Sequence, residues 1–333
     1  MSIDVTQSRP QALRERFHSV KEGGLDFRAL PMRLFIQGNQ KFWDPSDIDF
    51  SQDAEHWQLL NDEQKEGVLY LAVNFVTGEE AVTEDIVPFI KAMADEGRLE
   101  DELYLTQFAF EEAKHTEVFR RWLNAVGVDK DLHYLIEEDV QLTQSPTYIF
   151  THDQPEVMQR LWTDPSPEAQ IRANVIYNQY VEGTLALTGY WLWAKMLDSM
   201  GGLFPGMREI VRRISTDERR HLAWGTYNIR RHVAADPAMW DVAKAYLDEL
   251  KEKMTEREFE NRRLMEEQAE AEGITIESPF GITEDERWDY QLSRLERRYG
   301  AISSALGADP ERIDHDLEES DEDEDEGYAS LAQ

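Results

Sequence analysis

From about residue 60 to residue 270, apolar residues recur three and four positions apart, a spacing that lines them up on one face of an α-helix. The pattern predicts helices over 61–95, 99–125, 129–141, 167–199, 204–233 and 236–270. Gly201-Gly202 and Pro205-Gly206 end one helix and begin the next. Pro146, Pro155, Pro165 and Pro167 predict a long irregular connection over 143–167. Residues 1–58 are mixed, with turn signals at Glu22-Gly23-Gly24, Pro31, Gly38-Asn39 and Asp44-Pro45. The chain turns irregular again from about 271, before one more helix at 283–299. Strand patterns are few and there is no short tandem repeat. The fold class expected is all-α: helices of ~30 residues, or roughly 45 Å, running side by side as a bundle. A single domain is expected over 1–312, with its core at about 60–270; the stretch 313–333 reads as disordered by composition.

Several apolar stripes are interrupted by groups that do not belong in a core. Leu105, Phe108, Glu112, His115, Phe119 and Trp122 share one stripe, and Ile210, Ile214, Glu218 and His221 share another. Each contains Glu-x-x-His, which puts a carboxylate and an imidazole on one helix face, where both can grip the same ion. Eight histidines in a Glu-rich chain give about one such match by chance, and Glu15-Arg16-Phe17-His18, outside any long helix, is that match. Glu111 lines up instead with Tyr104, Gln107 and Lys114 on a more polar stripe, so Glu112 is the choice over Glu111. Two further acids complete the pattern: Glu79, with Phe75, Val82 and Ile86, and Glu182, with Val175 and Leu185. Glu80 competes with Glu79, because it aligns with Val73, Val76 and Val87. The chain thus reads as two similar halves, each supplying Glu and then Glu-x-x-His. That is the ligand scheme of ferritin-like dinuclear carboxylate bundles, with Glu79, Glu112, His115, Glu182, Glu218 and His221 as the six metal ligands. An unpaired buried carboxylate must shift its pKa, find a partner or bind metal.

Composition narrows the chemistry. There is no cysteine, which excludes disulfides, iron–sulfur clusters, thiolate zinc sites and cysteine nucleophiles. A metal held only by oxygen and imidazole nitrogen suits iron or manganese. The net charge is −33, and the ten acids between Asp314 and Glu326 make up less than a third of it, so the excess is spread over the body. Such a surface disfavours nucleic acid and anionic membranes. The longest apolar stretches, Val68 to Val76 and Leu185 to Leu197, fall short of the ~20 residues a spanning helix needs. The first residues show no basic segment followed by an apolar run, so no signal peptide is expected and the cytoplasm is the expected compartment.

The segments Gly78-Glu79-Glu80-Ala81-Val82-Thr83, Phe108 to His115 (FAFEEAKH), Tyr177-x4-Glu182 and Asp217-Glu218-x-x-His221 resemble the ribonucleotide reductase small-subunit superfamily. More narrowly, they are similar to its ligand-binding oxidases, over roughly residues 22–270. The resemblance implies one manganese and one iron ion, with a di-iron pair as the alternative, and dioxygen as a reactant. It implies an ether cross-link between Val82 and Tyr177, and a long-chain fatty acid held in an apolar channel with its carboxylate at the metals. It also implies a homodimer, and a role for Asp217 beside a metal histidine, orienting the imidazole. Trp43 looks like the tryptophan of a radical-transfer path, although simple packing is the favoured reading; Tyr328 reads as a lone aromatic in an acidic tail. Phe119 stands where ordinary reductase small subunits carry the radical tyrosine, which argues against a tyrosyl-radical subunit but not against a manganese/iron one. The expected function is a dioxygen-activating oxidase. The alternatives are the small subunit of a manganese/iron ribonucleoside-diphosphate reductase and a non-catalytic metal-storage or lipid-carrier protein.

Overall fold

The computed structural model describes residues 17–136, 146–273 and 280–315, and these contain helices and turns but no strand. The elements are α1 (Leu30–Gln40), α2 (Ser51–Trp57), α3 (Asp62–Asp85), α4 (Val87–Glu96), α5 (Leu99–Ala125), α6 (Gln154–Arg160), α7 (Pro167–Asn174), α8 (Leu187–Ser199), α9 (Pro205–Ala235), α10 (Ala238–Glu272) and α11 (Glu284–Ser303). A π-helical segment, Ile149–Asp153, leads into α6, and a second, Val175–Ala186, joins α7 to α8 in one continuous helix.

Local chemistry accounts for the boundaries. Asn61 and Gln64 form a reciprocal cap that starts α3, and Thr283 with Glu286 does the same for α11. The predicted helix 61–95 is broken near Ile86, because Pro88 sits in the first turn of α4 and cannot continue the ladder of α3. The predicted irregular connection over 143–167 is helical from Pro146 to Arg160. Pro155 follows directly on the π-helical segment Ile149–Asp153, inside a continuous helical run, and Pro167 stands in the first turn of α7, where the missing N–H costs nothing. For the same reason Pro31 opens α1, inside a region that reads as mixed. The predicted helix 129–141 is absent from its described part: 129–132 are not helical and His133–Leu135 form one 3-10 turn. Residues 137–141 lie outside the described residues, as do Glu15 and Tyr328. At the other end Ile313 is buried and the Asp314 backbone accepts from Leu30 N–H at 2.9 Å, so the chain is still packed there.

Helices α5 and α9 are the centre of the molecule. The first packs against α1, α3, α4 and α9; the second packs against α7, the π-segment, α8 and α11. Buried polar groups tie the two at both ends. Asp53 on α2 accepts from Trp122 Nε1 of α5 (2.8 Å) and from the backbone N–H groups of Gly206 (2.8 Å) and Met207 (2.9 Å) at the start of α9. At the far end Trp224 Nε1 of α9 donates to Asp101 of α5 at 3.0 Å. These bonds set the register between the two Glu-x-x-His helices, so that both motifs reach the same level.

The apolar core is divided in two by that level. One cluster holds Val82, Phe108, Tyr177, Val181 and Trp224; the other holds Phe75, Phe119, Tyr190, Ile210 and Ile214. Each central helix crosses from one cluster to the other, and the charged residues occupy the crossing.

Candidate metal centre

Helix α3 brings Glu79, α5 brings Glu112 and His115, the π-segment brings Glu182, and α9 brings Glu218 and His221; all six are buried. They fall into two groups, Glu79–Glu112–His115–Glu218 and Glu112–Glu182–Glu218–His221, and within each group one ligand-type atom per residue lies within 4.8 Å of every other. Glu112 and Glu218 belong to both. Glu80 is exposed, since it points away from the face that carries Glu79. Both imidazoles turn Nδ1 inward. His115 Nδ1 is 3.3 Å from Glu79, 3.5 Å from Glu112 and 3.3 Å from Glu218. His221 Nδ1 is 2.9 Å from Glu112 and 3.4 Å from Glu218.

The cluster is electrostatically incomplete. Burial pushes the Glu79 carboxyl up to about 8, against the opposing charge of His115. Burial and the neighbouring Glu218 push Glu182 well above the carboxylate range. Burial acts on Glu112 in the same sense, but His221 and His115 reverse it and bring it to about 2. Burial would lower both imidazoles, yet the carboxylates, Glu79 for His115 and Glu112 for His221, hold them well above their ordinary value. Both oxygens of Glu112, Oε1 of Glu182, Oε2 of Glu218 and Nδ1 of His221 make no hydrogen bond. Buried acceptors left this way are costly. Two cations bound among them would resolve every case, and the all-oxygen-and-imidazole donor set suits iron or manganese.

The outward faces of the imidazoles are also built. His115 Nε2 lies 3.3 Å from Asp217 Oδ2, and His221 Nε2 lies 2.9 Å from Glu111 Oε2. The acid that precedes each Glu-x-x-His thus crosses to the histidine of the other motif. Arg220 joins the two acids, donating to Glu111 at 2.7 Å and Asp217 at 2.6 Å. Lys114 Nζ (3.2 Å) and Trp43 Nε1 (2.8 Å) both donate to Asp217 Oδ2. Burial opposes it, but the His115 hydrogen bond and the charges of Arg220 and Lys114 hold Asp217 far below the carboxylate range. Trp43 also lies beside His115 with its ring nearly parallel, centroids 6.3 Å apart at 11°. Glu111, Lys114 and Arg220 were not legible as site residues. The stripe that looked polar, Tyr104, Glu111 and Lys114, is buried, because α5 is covered on that side by α1 and α9. The signal available was the parallel between Glu111-Glu112-x-x-His115 and Asp217-Glu218-x-x-His221.

A cavity of about 690 Å³ runs to this centre. Its lining includes the buried Glu79, Glu112, Glu182 and Glu218, the apolar Phe75, Val82, Phe150, Val181 and Leu185, and the exposed Leu264 and Met265. Tyr177 is fully buried, and its hydroxyl donates to the Val82 backbone carbonyl at 2.8 Å. In a π-helix bonds run from i to i+5, so residues five apart come round to the same side. That places Tyr177 on the side of Glu182, where an α-helix would have turned it away.

A family model described as the ribonucleotide reductase small chain matches residues 32–275. An R2-like ligand-binding oxidase from Sulfolobus acidocaldarius is similar at 35% identity, with a TM-score of 0.79, over 90% of this chain and 98% of that one. An R2-like ligand-binding oxidase with an aerobically reconstituted Mn/Fe cofactor is 36% identical, with a TM-score of 0.77, over 88% of this chain and 99% of that one. A variant of such an oxidase with an anaerobically reconstituted Mn/Fe cofactor matches at 35% identity, with a TM-score of 0.76 and the same coverages. Similarity of this extent over almost the whole of those chains makes this protein an oxidoreductase. It belongs to the ribonucleotide reductase small-chain family and, within it, to the R2-like ligand-binding oxidases.

Proposed function

We propose that the protein is a dioxygen-activating oxidase whose manganese and iron ions are held by Glu79, Glu112, His115, Glu182, Glu218 and His221. The observation that carries this is the overlap of two four-residue groups through Glu112 and Glu218, both of them buried and short of hydrogen bonds. Glu112 and Glu218, which belong to both groups, would serve both ions. Asp217 and Glu111 fix the tautomer and tilt of the two imidazoles by accepting a hydrogen bond from Nε2–H, so that Nδ1 faces the metals. When bound, the metal pair supplies the oxidising power that no side chain here possesses.

The cavity is read as the site of a long-chain fatty acid, its carboxylate at the inner, ionic end and its chain along Phe75, Val82, Phe150 and Leu185. The apolar walls exclude water from the centre. Val82 and Tyr177 are read as the partners of an ether cross-link. Joining Val82 Cβ to the Tyr177 oxygen removes one hydrogen from each. The two electrons and two protons released pass to dioxygen, reducing it to the level of hydrogen peroxide. The support is the Tyr177 hydroxyl sitting on the backbone of Val82. Burial, then the charges of Glu112 and Glu182, raise the Tyr177 pKa well above 10, so the residue holds its proton until it is oxidised.

Aerobic loading with manganese and iron, followed by elemental analysis and peptide mass spectrometry, tests this reading. Both metals and a peptide joining residues 82 and 177 are expected. Tyr177→Phe is expected to keep its metal and lose the link; fully metallated wild-type protein without the link overturns the cross-link assignment. A homodimer in the cytoplasm is part of the same reading, checked by size measurement and cell fractionation. A second reading, the small subunit of a manganese/iron ribonucleotide reductase, is favoured by the hydrogen-bonded line Trp43–Asp217–His115. Phe119, buried against Phe75 at 5.5 Å, has no hydroxyl to carry a phenoxyl radical. Reductase activity with a large catalytic subunit would decide for it.

A further inference from the structure

Glu182 is held unlike its three companions. Glu79, Glu112 and Glu218 each lie within 3.5 Å of an imidazole nitrogen. Glu182 instead receives an amide: Asn178 Nδ2 donates to Glu182 Oε2 at 2.8 Å. The other oxygen, Oε1, makes no hydrogen bond. Asn178 is fully buried, and its own Oδ1 is also without a hydrogen-bond partner. A buried amide whose carbonyl is left unused is costly, so its presence calls for a reason beyond packing.

The fold makes room for it. Asn178 and Glu182 stand four apart on the π-segment, close to one turn, so their side chains share a face. Opposite Asn178, on α9, is Gly225. A Cβ at that position would lie 2.2 Å from both Cβ and Cγ of Asn178 and 2.5 Å from its Oδ1. No side chain can stand at 225 while Asn178 occupies this notch. Gly225 lies four residues after His221, so the helix that carries two of the six residues also carries the notch.

We propose that Asn178 is a positioning residue for the metal centre: it occupies one oxygen of Glu182 and so leaves Oε1 as the single oxygen that this carboxylate offers to a metal. The proposal rests on Glu182 being a metal ligand, as argued above. A carboxylate free to use both oxygens would crowd the cavity side of the centre, which Glu182 lines. One-oxygen binding keeps that side clear for dioxygen or for the carboxylate of a bound ligand.

The test compares full-length wild type, Asn178→Ala and Asn178→Asp, each loaded aerobically with manganese and iron. Asn178→Asp keeps the side-chain shape and so serves if the alanine variant folds poorly. Metal titration, the electron paramagnetic resonance spectrum of the centre and a crystal structure of the loaded protein are the readouts. In both variants metal affinity is expected to fall about 10–100-fold, the usual effect of removing an outer partner of a ligand. The spectrum is expected to shift, and Glu182 to place both oxygens on metal. Glu182 still bound through one oxygen, with an unchanged spectrum, overturns the proposal while leaving the metal centre intact. Wild-type protein that takes up no metal sinks the ligand assignment itself, and the role of Asn178 with it.

Discussion

The two histidines of the site make a natural comparison. Each presents Nδ1 to the shared carboxylates and Nε2 to an acid from the opposite motif. Beyond that shell they diverge. His115 is backed by Asp217, which also accepts from Trp43 and Lys114, so its surroundings are polar and run outward toward α1. His221 is backed by Glu111 and lies flat on Phe108, ring centroids 3.7 Å apart at 13°, with Tyr177 next to Phe108 at 5.9 Å. Equal ligand types in unlike surroundings give two positions with different electrostatics. A site meant for two different metals requires such a difference.

The strongest way to break this comparison is to remove a residue that belongs to both groups. Glu112→Ala or Glu218→Ala is expected to abolish binding of both metals, whereas Glu79→Ala or Glu182→Ala is expected to lose one. Elemental analysis of loaded protein reads this directly, and a full complement in Glu112→Ala refutes the ligand assignment.

Removing only the outer charge is expected to do less. Asp217→Asn and Glu111→Gln should each weaken metal binding about 10–100-fold. The larger loss is expected for Asp217, since it also leaves Lys114 without a carboxylate. Equal losses by competitive titration would mean that the two halves are electrostatically alike.

Trp43→Phe removes one donor from Asp217 but leaves Lys114, Arg220 and His115 around it. A loss of about 1 kcal/mol is expected in chemical denaturation, with metal content unchanged. A drop in metal content would tie Trp43 to the centre more closely than its hydrogen bond does.

The smallest effect expected is one of pH on metal-free protein. Glu79, raised to about 8, and Glu182, raised in the same direction, contribute stability that is full below about 4.5 and is lost as pH rises through the folded value. His115 and His221, also raised, act in the same sense. Glu112, lowered to about 2, acts oppositely, but only in strong acid. The unfolding temperature of metal-free protein should therefore fall by a few degrees between about pH 5 and pH 8. Metal displaces these protons, so the loaded protein should not show that fall; parallel curves would contradict the proton inventory of the site.

Much of the site was legible because helical periodicity is a local property. Glu112, His115, Glu218 and His221 announced themselves by standing in apolar stripes, a contradiction that needs no tertiary knowledge to detect. Helix 99–125 was bounded to the residue for the same reason. The misses were of another kind. Pro167 reads as a breaker because its place in a first turn depends on where the turn begins, and Pro155 because a π-helical segment ahead of it leaves no mark in the periodicity. Glu111 and Lys114 read as polar because a helix covered on two sides carries no mark of its second cover.

What the sequence alone determined, then, was the all-helical class, the absence of thiolate chemistry and five of the buried acids and imidazoles, Glu112, His115, Glu182, Glu218 and His221, since spacing and residue type suffice for these. Only the tertiary structure decided that Glu111 serves His221 and Asp217 serves His115, that Glu79 and not Glu80 faces inward, and that the π-segment turns Tyr177 toward Val82. The crossing of Glu111 and Asp217 depends on the register between α5 and α9, fixed by Asp53 and Asp101 through bonds linking residues 69 to 154 positions apart. No periodicity along a single helix encodes such a register.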